Sequence, residues 1–233
     1  DINTQPFVGS VKMCIRDSNG TYLGKIGNYG SSNVEPYDFA VTQQNTYLVA
    51  DTQGDRILEF DENGSAVRVF GSRGNLDGQM NDPRSIAIHN DVIYVADSSN
   101  HRIQAFDRNG TFLFKIGGNG NGNGQFNQPQ GILVSPGTNE IYVADRYNHR
   151  IQVLDLSGNF SRKFGSYGNL EGQFSQPVDL ALNDDGSLAV LSSGNSRVIN
   201  LTLSGQYLNH WNTSGGSMYL ANLNNGLMGI SWN

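Results

Sequence analysis

The sequence predicts an all-β fold in which one four-stranded unit is repeated along the chain. Residues 93–97 (Ile-Tyr-Val-Ala-Asp) recur 48 positions later as residues 141–145. Asn-His-Arg-Ile-Gln follows each copy, at residues 100–104 and 148–152. Apolar residues alternate with period two between glycine-containing turns, as half-buried strands require. Four short antiparallel strands in a repeat of this length are typical of a β-propeller blade, so the sequence predicts a propeller.

Two weaker copies and a count of turns define the number of units. Residues 47–51 (Tyr-Leu-Val-Ala-Asp) form a third copy, and residues 188–192 form a fourth, more divergent one. Two-residue hairpins with positive φ at both central residues favour Asn-Gly and similar pairs. One such series is Asn19-Gly20, Asn63-Gly64, Asn109-Gly110, Ser157-Gly158 and Ser204-Gly205. A second series is Gln44-Asn45, Asn90-Asp91, Pro136-Gly137, Asp185-Gly186 and Asn225-Gly226.

The two chain ends are out of phase with the repeat and complement each other. The N-terminal segment supplies a third strand near residues 13–15 and a fourth at 22–26, and the C-terminal segment supplies a first at 218–221 and a second at 227–230. We expect them to form one composite blade that closes a five-bladed ring and covers two strand edges. The expected continuous blades are 28–71, 72–117, 118–165 and 166–212, and the composite blade is 1–27 with 213–233. A fragment of a larger ring is the alternative, since Arg16 stands where the other copies have Phe or Leu.

Composition narrows the class of partner. Hydrophobic residues make up 37% of the chain, which contains 29 glycines and has a net charge of −6. The acidic balance argues against nucleic acid as a partner. Cys14 is the single cysteine, and no apolar run approaches the ~20 residues of a membrane span. Because the chain begins at Asp1, we expect a mature form or a piece of a multidomain protein, extracellular or periplasmic in preference to cytoplasmic.

The repeat resembles the NHL repeat, a propeller-forming family. The resemblance rests on residues 124–132 (Gly-Gln-Phe-Asn-Gln-Pro-Gln-Gly-Ile), which lead into residues 141–153. Residues 78–83 and 172–177 match the start of the same unit. The similarity covers essentially the whole chain and weakens at both ends. It implies a propeller, and for function it implies several classes: protein-binding domains, RNA-binding domains, sensor domains of bacterial receptor kinases and a few lyases that act in the central channel.

The conspicuous charged pairs are interpreted as structural. An Asp ends the second strand of three units and an Arg begins the third strand. The pairs are Asp51 and Arg56, Asp97 and Arg102, and Asp145 and Arg150. An active site needs unique residues, whereas these recur, so we predict that they hold loops together. Ser192 interrupts the series beside Arg197 and should loosen that blade.

Histidines and glycines suggest no metal or phosphate site. A catalytic zinc needs about three converging ligands, and the channel-lyase resemblance implies histidines at the channel mouth. The channel-side starts of the first strands are instead Asp38, Ser85, Gly131 and Asp179. We predict no cofactor and no catalytic residue. Asp38 and Asp179 are weak candidates for a channel cation, with solvated carboxylates as the alternative. The glycine-rich run 117–124 lacks the Lys-Ser/Thr ending of a phosphate loop and is interpreted as a flexible connector.

The candidate binding face carries the loops between second and third strands and the connectors between blades. Variable loops on a rigid scaffold carry function, and Tyr and Arg are enriched at binding hot spots. The candidate residues are Tyr37, Arg84, Gln130, Arg146, Tyr147 and Tyr167. We predict a non-enzymatic scaffold that binds a protein or peptide through this loop-rich face. The alternatives are a metal-dependent lyase or hydrolase that uses the channel, and an RNA-binding domain.

Overall fold

The computed structural model describes residues 34–213 in full and, outside them, the backbone of four strands. These outer strands are β1 (Met13–Arg16), β2 (Tyr22–Ile26), β19 (Ser217–Leu223) and β20 (Gly226–Trp232). Within the described chain, no helix is long and apolar enough to cross a membrane.

Four consecutive four-stranded antiparallel sheets make up the fully described part, each in simple sequential order. Blade 1 comprises β3 (Pro36–Val41), β4 (Tyr47–Asp51), β5 (Arg56–Phe60) and β6 (Ala66–Phe70). Blade 2 comprises β7 (Pro83–His89), β8 (Val92–Asp97), β9 (Arg102–Phe106) and β10 (Phe112–Gly117). Blade 3 comprises β11 (Pro129–Ser135), β12 (Glu140–Asp145), β13 (Arg150–Asp155) and β14 (Phe160–Phe164). Blade 4 comprises β15 (Pro177–Leu182), β16 (Leu188–Ser192), β17 (Arg197–Leu201) and β18 (Tyr207–Asn212). The predicted propeller of four-stranded blades is confirmed.

The strands predicted at the chain ends are present, in two separate two-stranded sheets. β1 pairs with β2, and β19 pairs with β20. β15 also contacts β19, as the first strands of neighbouring blades contact one another. The joining of both sheets into one composite blade, and the count of five, stay predictions. The predicted turns Asn19-Gly20 and Asn225-Gly226 lie outside the described residues, except that Gly226 begins β20.

The three largest apolar clusters of the described residues lie between neighbouring blades. The second and third strands of a blade are buried along their length, whereas the fourth strands alternate between covered and exposed residues. Each connector inserts one large apolar side chain between two sheets: Met80, Phe126 and Phe174 are all fully buried. Phe126 packs in one cluster with Ile103 of blade 2 and Val143 of blade 3. Neighbouring blades therefore share their apolar contacts, which favours folding of the ring as one unit.

The hairpins differ from the predicted type. In the turn after β5 only Gly64 has positive φ, at 78°, and the Asp61 carboxylate accepts the N–H groups of Asn63 (3.0 Å) and Ser65 (2.8 Å). This is a type I turn followed by a left-handed glycine, which also tolerates Asn-Gly. Among the described turns, only Asn90-Asp91 has positive φ at both central residues (48° and 61°). The prediction of two-residue turns with two positive φ values was therefore wrong at the other described hairpins.

The glycine-rich connector 117–124 is held by many hydrogen bonds, so its interpretation as flexible was wrong. The Gly120 N–H donates to the Phe126 carbonyl (3.0 Å), and the Phe126 N–H donates to the Gly118 carbonyl (2.9 Å). The Arg150 guanidinium donates to the carbonyls of Asn121 and Gly122, at 2.8 Å each. The connector is thus tied both to itself and to the third strand of the blade it enters.

The recurring Asp–Arg pairs sit under these connectors. Arg102 Nε lies 2.7 Å from Asp97 Oδ2, and the Asn81 N–H and the Asn100 amide donate to the same carboxylate. Burial raises the pKa of Asp97, and these hydrogen bonds and the charge of Arg102 offset part of that rise. Arg102 also donates to the carbonyls of Leu76 (2.8 Å) and, at 2.9 Å, Gln79. One buried pair therefore links the second strand, the loop that follows it and the connector.

Blade 4 lacks this pair. Ser192 Oγ accepts the Ser175 N–H (2.8 Å) and so replaces one carboxylate oxygen. Arg197 has no carboxylate partner within residues 34–213 and donates instead to the Asn169 carbonyl (2.6 Å). The buried Asn195 Oδ1 is left without a hydrogen-bond partner there.

We expect Asp145→Ala to lower the free energy of unfolding by about 3–5 kcal/mol, because it leaves the buried Arg150 charge without its carboxylate. Urea denaturation measures the loss. Asp184→Ala is the matched control: Asp184 is exposed and makes no hydrogen bond or ion pair with the described residues, so this variant should unfold like the parent. A loss under 1 kcal/mol, on the order of a surface ion pair, would contradict the structural role.

We expect the opposite change in blade 4. Ser192→Asp offers a carboxylate to Arg197 and to the Ser175 N–H. It should raise the free energy of unfolding by about 1 kcal/mol, because Arg197 and the Ser175 N–H would both donate charge-assisted hydrogen bonds to the new carboxylate. Urea denaturation again gives the value, and a decrease would show that desolvation dominates at this position.

Candidate functional site

Three of the predicted binding residues meet at one end of the channel. Tyr37, Arg84 and Gln130 each follow the proline that begins a first strand, and we call them the channel-mouth cluster. The Tyr37 hydroxyl donates to Gln130 Oε1 at 3.1 Å, although the two residues belong to blades 1 and 3. Arg84 Cζ lies 4.4 Å from the centroid of the Tyr37 ring, within cation–π range. The sequence could not show this contact, because it depends on the curvature of the ring.

The residues of the channel-mouth cluster are engaged mainly with one another and with Asp82. Gln130 is only 2% exposed, so it cannot contribute much surface to a partner. Arg84 donates to both oxygens of Asp82, at 2.9 and 3.0 Å. Burial lowers the pKa of Arg84, but Asp82 and Tyr37 together raise it above the ordinary arginine value. The guanidinium is therefore a fixed cation that braces the Tyr37 ring.

The channel positions hold the blades together. Asp38 Oδ2 accepts the Ser85 hydroxyl (2.7 Å) and the Ile86 N–H (2.9 Å) of the next blade. Burial raises the pKa of Asp38, and those two hydrogen bonds and the Phe39 N–H lower it in part. Ser85 Oγ in turn accepts the Ile132 N–H of blade 3 (3.2 Å). In residues 34–213 no three His, Cys, Asp or Glu side chains converge as metal ligands would.

Gly131 and Asp179 continue this series with a backbone contact. A Cβ atom at Gly131 would lie 2.8 Å from the Asp179 Cα, so any larger residue would push blades 3 and 4 apart. Asp179 Oδ1 accepts the N–H of Leu180 at 2.9 Å. The two carboxylates proposed as weak cation candidates thus both accept backbone N–H groups.

The other three predicted residues form a second group, which we call the rim cluster: Arg146, Tyr147 and Tyr167, with His149 and Gln176 beneath them. Arg146 Cζ lies 4.7 Å from the Tyr147 ring centroid, and its Nη2 donates to Gln176 Oε1 at 3.0 Å. The His149 and Tyr167 rings meet edge to face at 4.8 Å. Tyr147 is 40% exposed and Tyr167 is 70% exposed. These are exposed aromatic rings held by defined contacts.

His149 supports the rim cluster through a hydrogen bond that recurs around the ring. In blades 1 to 3 a residue with positive φ immediately precedes the third strand, and its side chain accepts the N–H of a residue with positive φ in the next connector. The three pairs are Asp55 Oδ1 with the Asp82 N–H (2.8 Å), His101 Nδ1 with the Gln128 N–H (3.1 Å) and His149 Nδ1 with the Gln176 N–H (3.1 Å). Both histidines therefore act as acceptors at Nδ1, which places their proton on Nε2.

Sequence reasoning missed the supporting residues His149, Gln176 and Asp82. The single-turn 3-10 helices Ser98–Asn100, Arg146–Asn148 and Ser193–Asn195 were also not predicted. A usable signal was present: aligning the copies puts Asp55, His101 and His149 at one position. Asp and His both carry an acceptor atom on a short side chain, so either residue can accept this hydrogen bond.

The sheets, their order and the recurring contacts between them define a β-propeller built from four-stranded antiparallel blades. A family model described as a 6-bladed beta-propeller matches residues 75–145. No curated protein matches the sequence.

Solved structures show the same fold at low sequence identity. A catalytically inactive virginiamycin B lyase from Staphylococcus aureus with quinupristin is 14% identical, with a TM-score of 0.65 over 88% of this chain and 66% of that chain. A protein of unknown function from Bacteroides caccae is 15% identical (TM-score 0.63, 86% and 74% covered). The Pan2 WD40 domain of Neurospora crassa is 14% identical (TM-score 0.59, 82% and 54% covered). The chain spans 55% to 66% of the length of the lyase structures it matches.

We expect acid to weaken the contact beneath the rim cluster. Burial lowers the pKa of His149 from its ordinary value of about 6.5, an effect that the Asp145 charge offsets in part. The unfolded chain therefore takes up the proton first, so this contribution to stability is complete above about pH 6.5 and is lost as the pH falls.

The measurement compares urea denaturation at about pH 7.5 and about pH 5.5 for the parent and for His149→Asn. Asn keeps an acceptor oxygen and cannot titrate in this range, so the variant should lose less stability on acidification than the parent. Equal losses in both proteins would rule out His149 as the titrating group.

Proposed function

We propose that the chain is a non-enzymatic propeller of the NHL type that recognises a protein or peptide through its loop-rich face. The observation that carries this proposal is the rim cluster, in which exposed Tyr147 and Tyr167 flank a cation fixed by Gln176. Large aromatic rings supply much contact area and lose little conformational entropy on binding.

The rim cluster is preorganised, which reduces the entropy cost of association. Arg146 uses Nε and Nη2 for Gln176, and its Nη1 makes no hydrogen bond within the described residues. Leu170, three residues after Tyr167 in the same connector, is 75% exposed. The surface therefore offers two aromatic rings, an aliphatic side chain and a free donor of a fixed guanidinium. This combination suits a peptide segment with an apolar side chain next to a carboxylate or carbonyl acceptor.

The contacts of the channel residues favour this binding proposal over a catalytic role for the channel. Asp38 and Ser85, the polar groups at the starts of the first strands of blades 1 and 2, are engaged in contacts between blades. The Tyr37 hydroxyl is likewise engaged with Gln130, between blades 1 and 3. Binding by the outer rim needs no access to the channel.

The test is peptide selection against the whole chain, followed by affinity measurement. Peptides recovered from a displayed random library should bind a Tyr147→Ala, Tyr167→Ala double variant at least about 30-fold more weakly, which corresponds to about 2 kcal/mol. A Leu113→Ala, Leu208→Ala double variant is the matched control, because both residues are exposed apolar positions on outer strands. Equal loss in both variants, or unchanged binding to the rim variant, would overturn the proposal. Thermal unfolding confirms that each variant is folded.

A further inference from the structure

A cleft of about 290 Å³ lies between blades 1 and 2, on the face of the tight hairpins and away from the loop-rich face. Its walls come from the β3–β4 turn, the outer strands of blade 1 and the two hairpins of blade 2. The volume is near the lower end of the range for small-molecule sites, which is roughly 300–1,000 Å³. The cleft shares no residue with the channel-mouth cluster or the rim cluster.

Blade 1 differs from blades 2 and 3 at position 48, in its second strand. Aligned copies place Leu48 where blades 2 and 3 have Tyr94 and Tyr142. The Tyr94 hydroxyl crosses to the Leu156 carbonyl of the next blade (3.2 Å), and the Tyr142 hydroxyl crosses to the Leu203 carbonyl (3.3 Å). Leu48 is fully buried and has no hydroxyl to make this contact, so blade 1 reaches the Arg108 carbonyl of blade 2 through a different side chain.

An ion pair forms one wall of the cleft. Arg68 Nε donates to Glu59 Oε2 at 2.8 Å, and Arg68 Nη2 donates to the Arg108 carbonyl at 2.7 Å. The Thr46 hydroxyl donates to Glu59 Oε1 at 2.5 Å. Arg68 thus makes a contact between blades 1 and 2 like the one that Arg162 makes with the Leu203 carbonyl between blades 3 and 4. Glu59 and Arg68 neutralise each other.

Two further charges in the lining are free. The Asp91 carboxylate and the Arg108 guanidinium make no hydrogen bond or ion pair with the described residues, and they lie on the two neighbouring hairpins of blade 2. Ile88 and Ile93 supply an apolar wall between these hairpins and blade 1. The cleft therefore presents one available anion, one available cation and an aliphatic surface.

We propose that this cleft binds a small zwitterion, specifically a free α-amino acid with an apolar side chain. Its ammonium group pairs with Asp91, its carboxylate pairs with Arg108, and its side chain packs on Ile88 and Ile93. The paired Glu59 and Arg68 leave the lining without excess charge, which disfavours multiply charged anions such as phosphates. This proposal is independent of the function proposed for the rim cluster.

The experiment titrates the isotopically labelled whole chain with L-leucine and follows the isoleucine methyl signals by NMR. We expect saturable shifts at Ile88 and Ile93, with a dissociation constant on the order of 1 mM. N-acetyl-L-leucine amide has the same side chain without charges and should bind at least about 10-fold more weakly. Equal response to both compounds, no saturable response to L-leucine, or saturable binding of glucose in place of L-leucine would overturn the proposal.

Variants test whether L-leucine binds in the cleft or elsewhere on the surface. Arg108→Ala and Asp91→Asn each remove one of the two proposed charge contacts at an exposed residue and should each weaken binding about 10-fold. Arg73→Ala is the matched control, since Arg73 is an exposed arginine outside the cleft. Unchanged binding in both Arg108→Ala and Asp91→Asn would refute the assignment.

Discussion

The carboxylate that ends the second strand organises most of the loop-rich face. Asp97 is fully buried, and an isolated buried charge would be costly. Arg102 and the donors around it, including the Gln104 amide at 3.0 Å, offset this cost. Because these donors come from the third strand, the 3-10 turn and the incoming connector, satisfying one charge fixes three segments. The loops of this face are long, yet hydrogen bonding to a buried group gives them a defined shape.

The same hydrogen bonding fixes the loop that carries the rim cluster. Arg150 pairs with Asp145 in the same way in blade 3. Asn148, in the loop before Arg150, also donates to Asp145, at 2.9 Å. Arg146, Tyr147 and His149 lie in the loop that this network anchors. The rim cluster therefore depends on the buried Asp145–Arg150 ion pair, which lies next to it in the chain. A binding surface of this kind loses little freedom when a partner arrives.

Sequence reasoning predicted the repeat, the strands and the role of the recurring Asp–Arg pairs, because each follows from local pattern. Asn63-Gly64 shows where local pattern is insufficient: the pair suits two turn types, and the Asp61 carboxylate decides between them. The Tyr37–Gln130 contact joins residues 93 positions apart and depends on how blades 1 to 3 are arranged around one another. Tyr94 and Tyr142 fit the alternation of a buried strand, so only the three-dimensional structure shows that their hydroxyls cross to the next blade.

The Tyr37–Gln130 hydrogen bond also has a mechanical consequence. Blades 1 and 3 are not neighbours, so this bond runs as a chord across the ring, whereas the Asp38–Ser85 contact runs along its circumference. Pulling blade 1 away from blade 2 must stretch both. A force that pulls on blade 1 therefore also acts on blade 3 through this hydrogen bond, so blades 1 to 3 resist separation together.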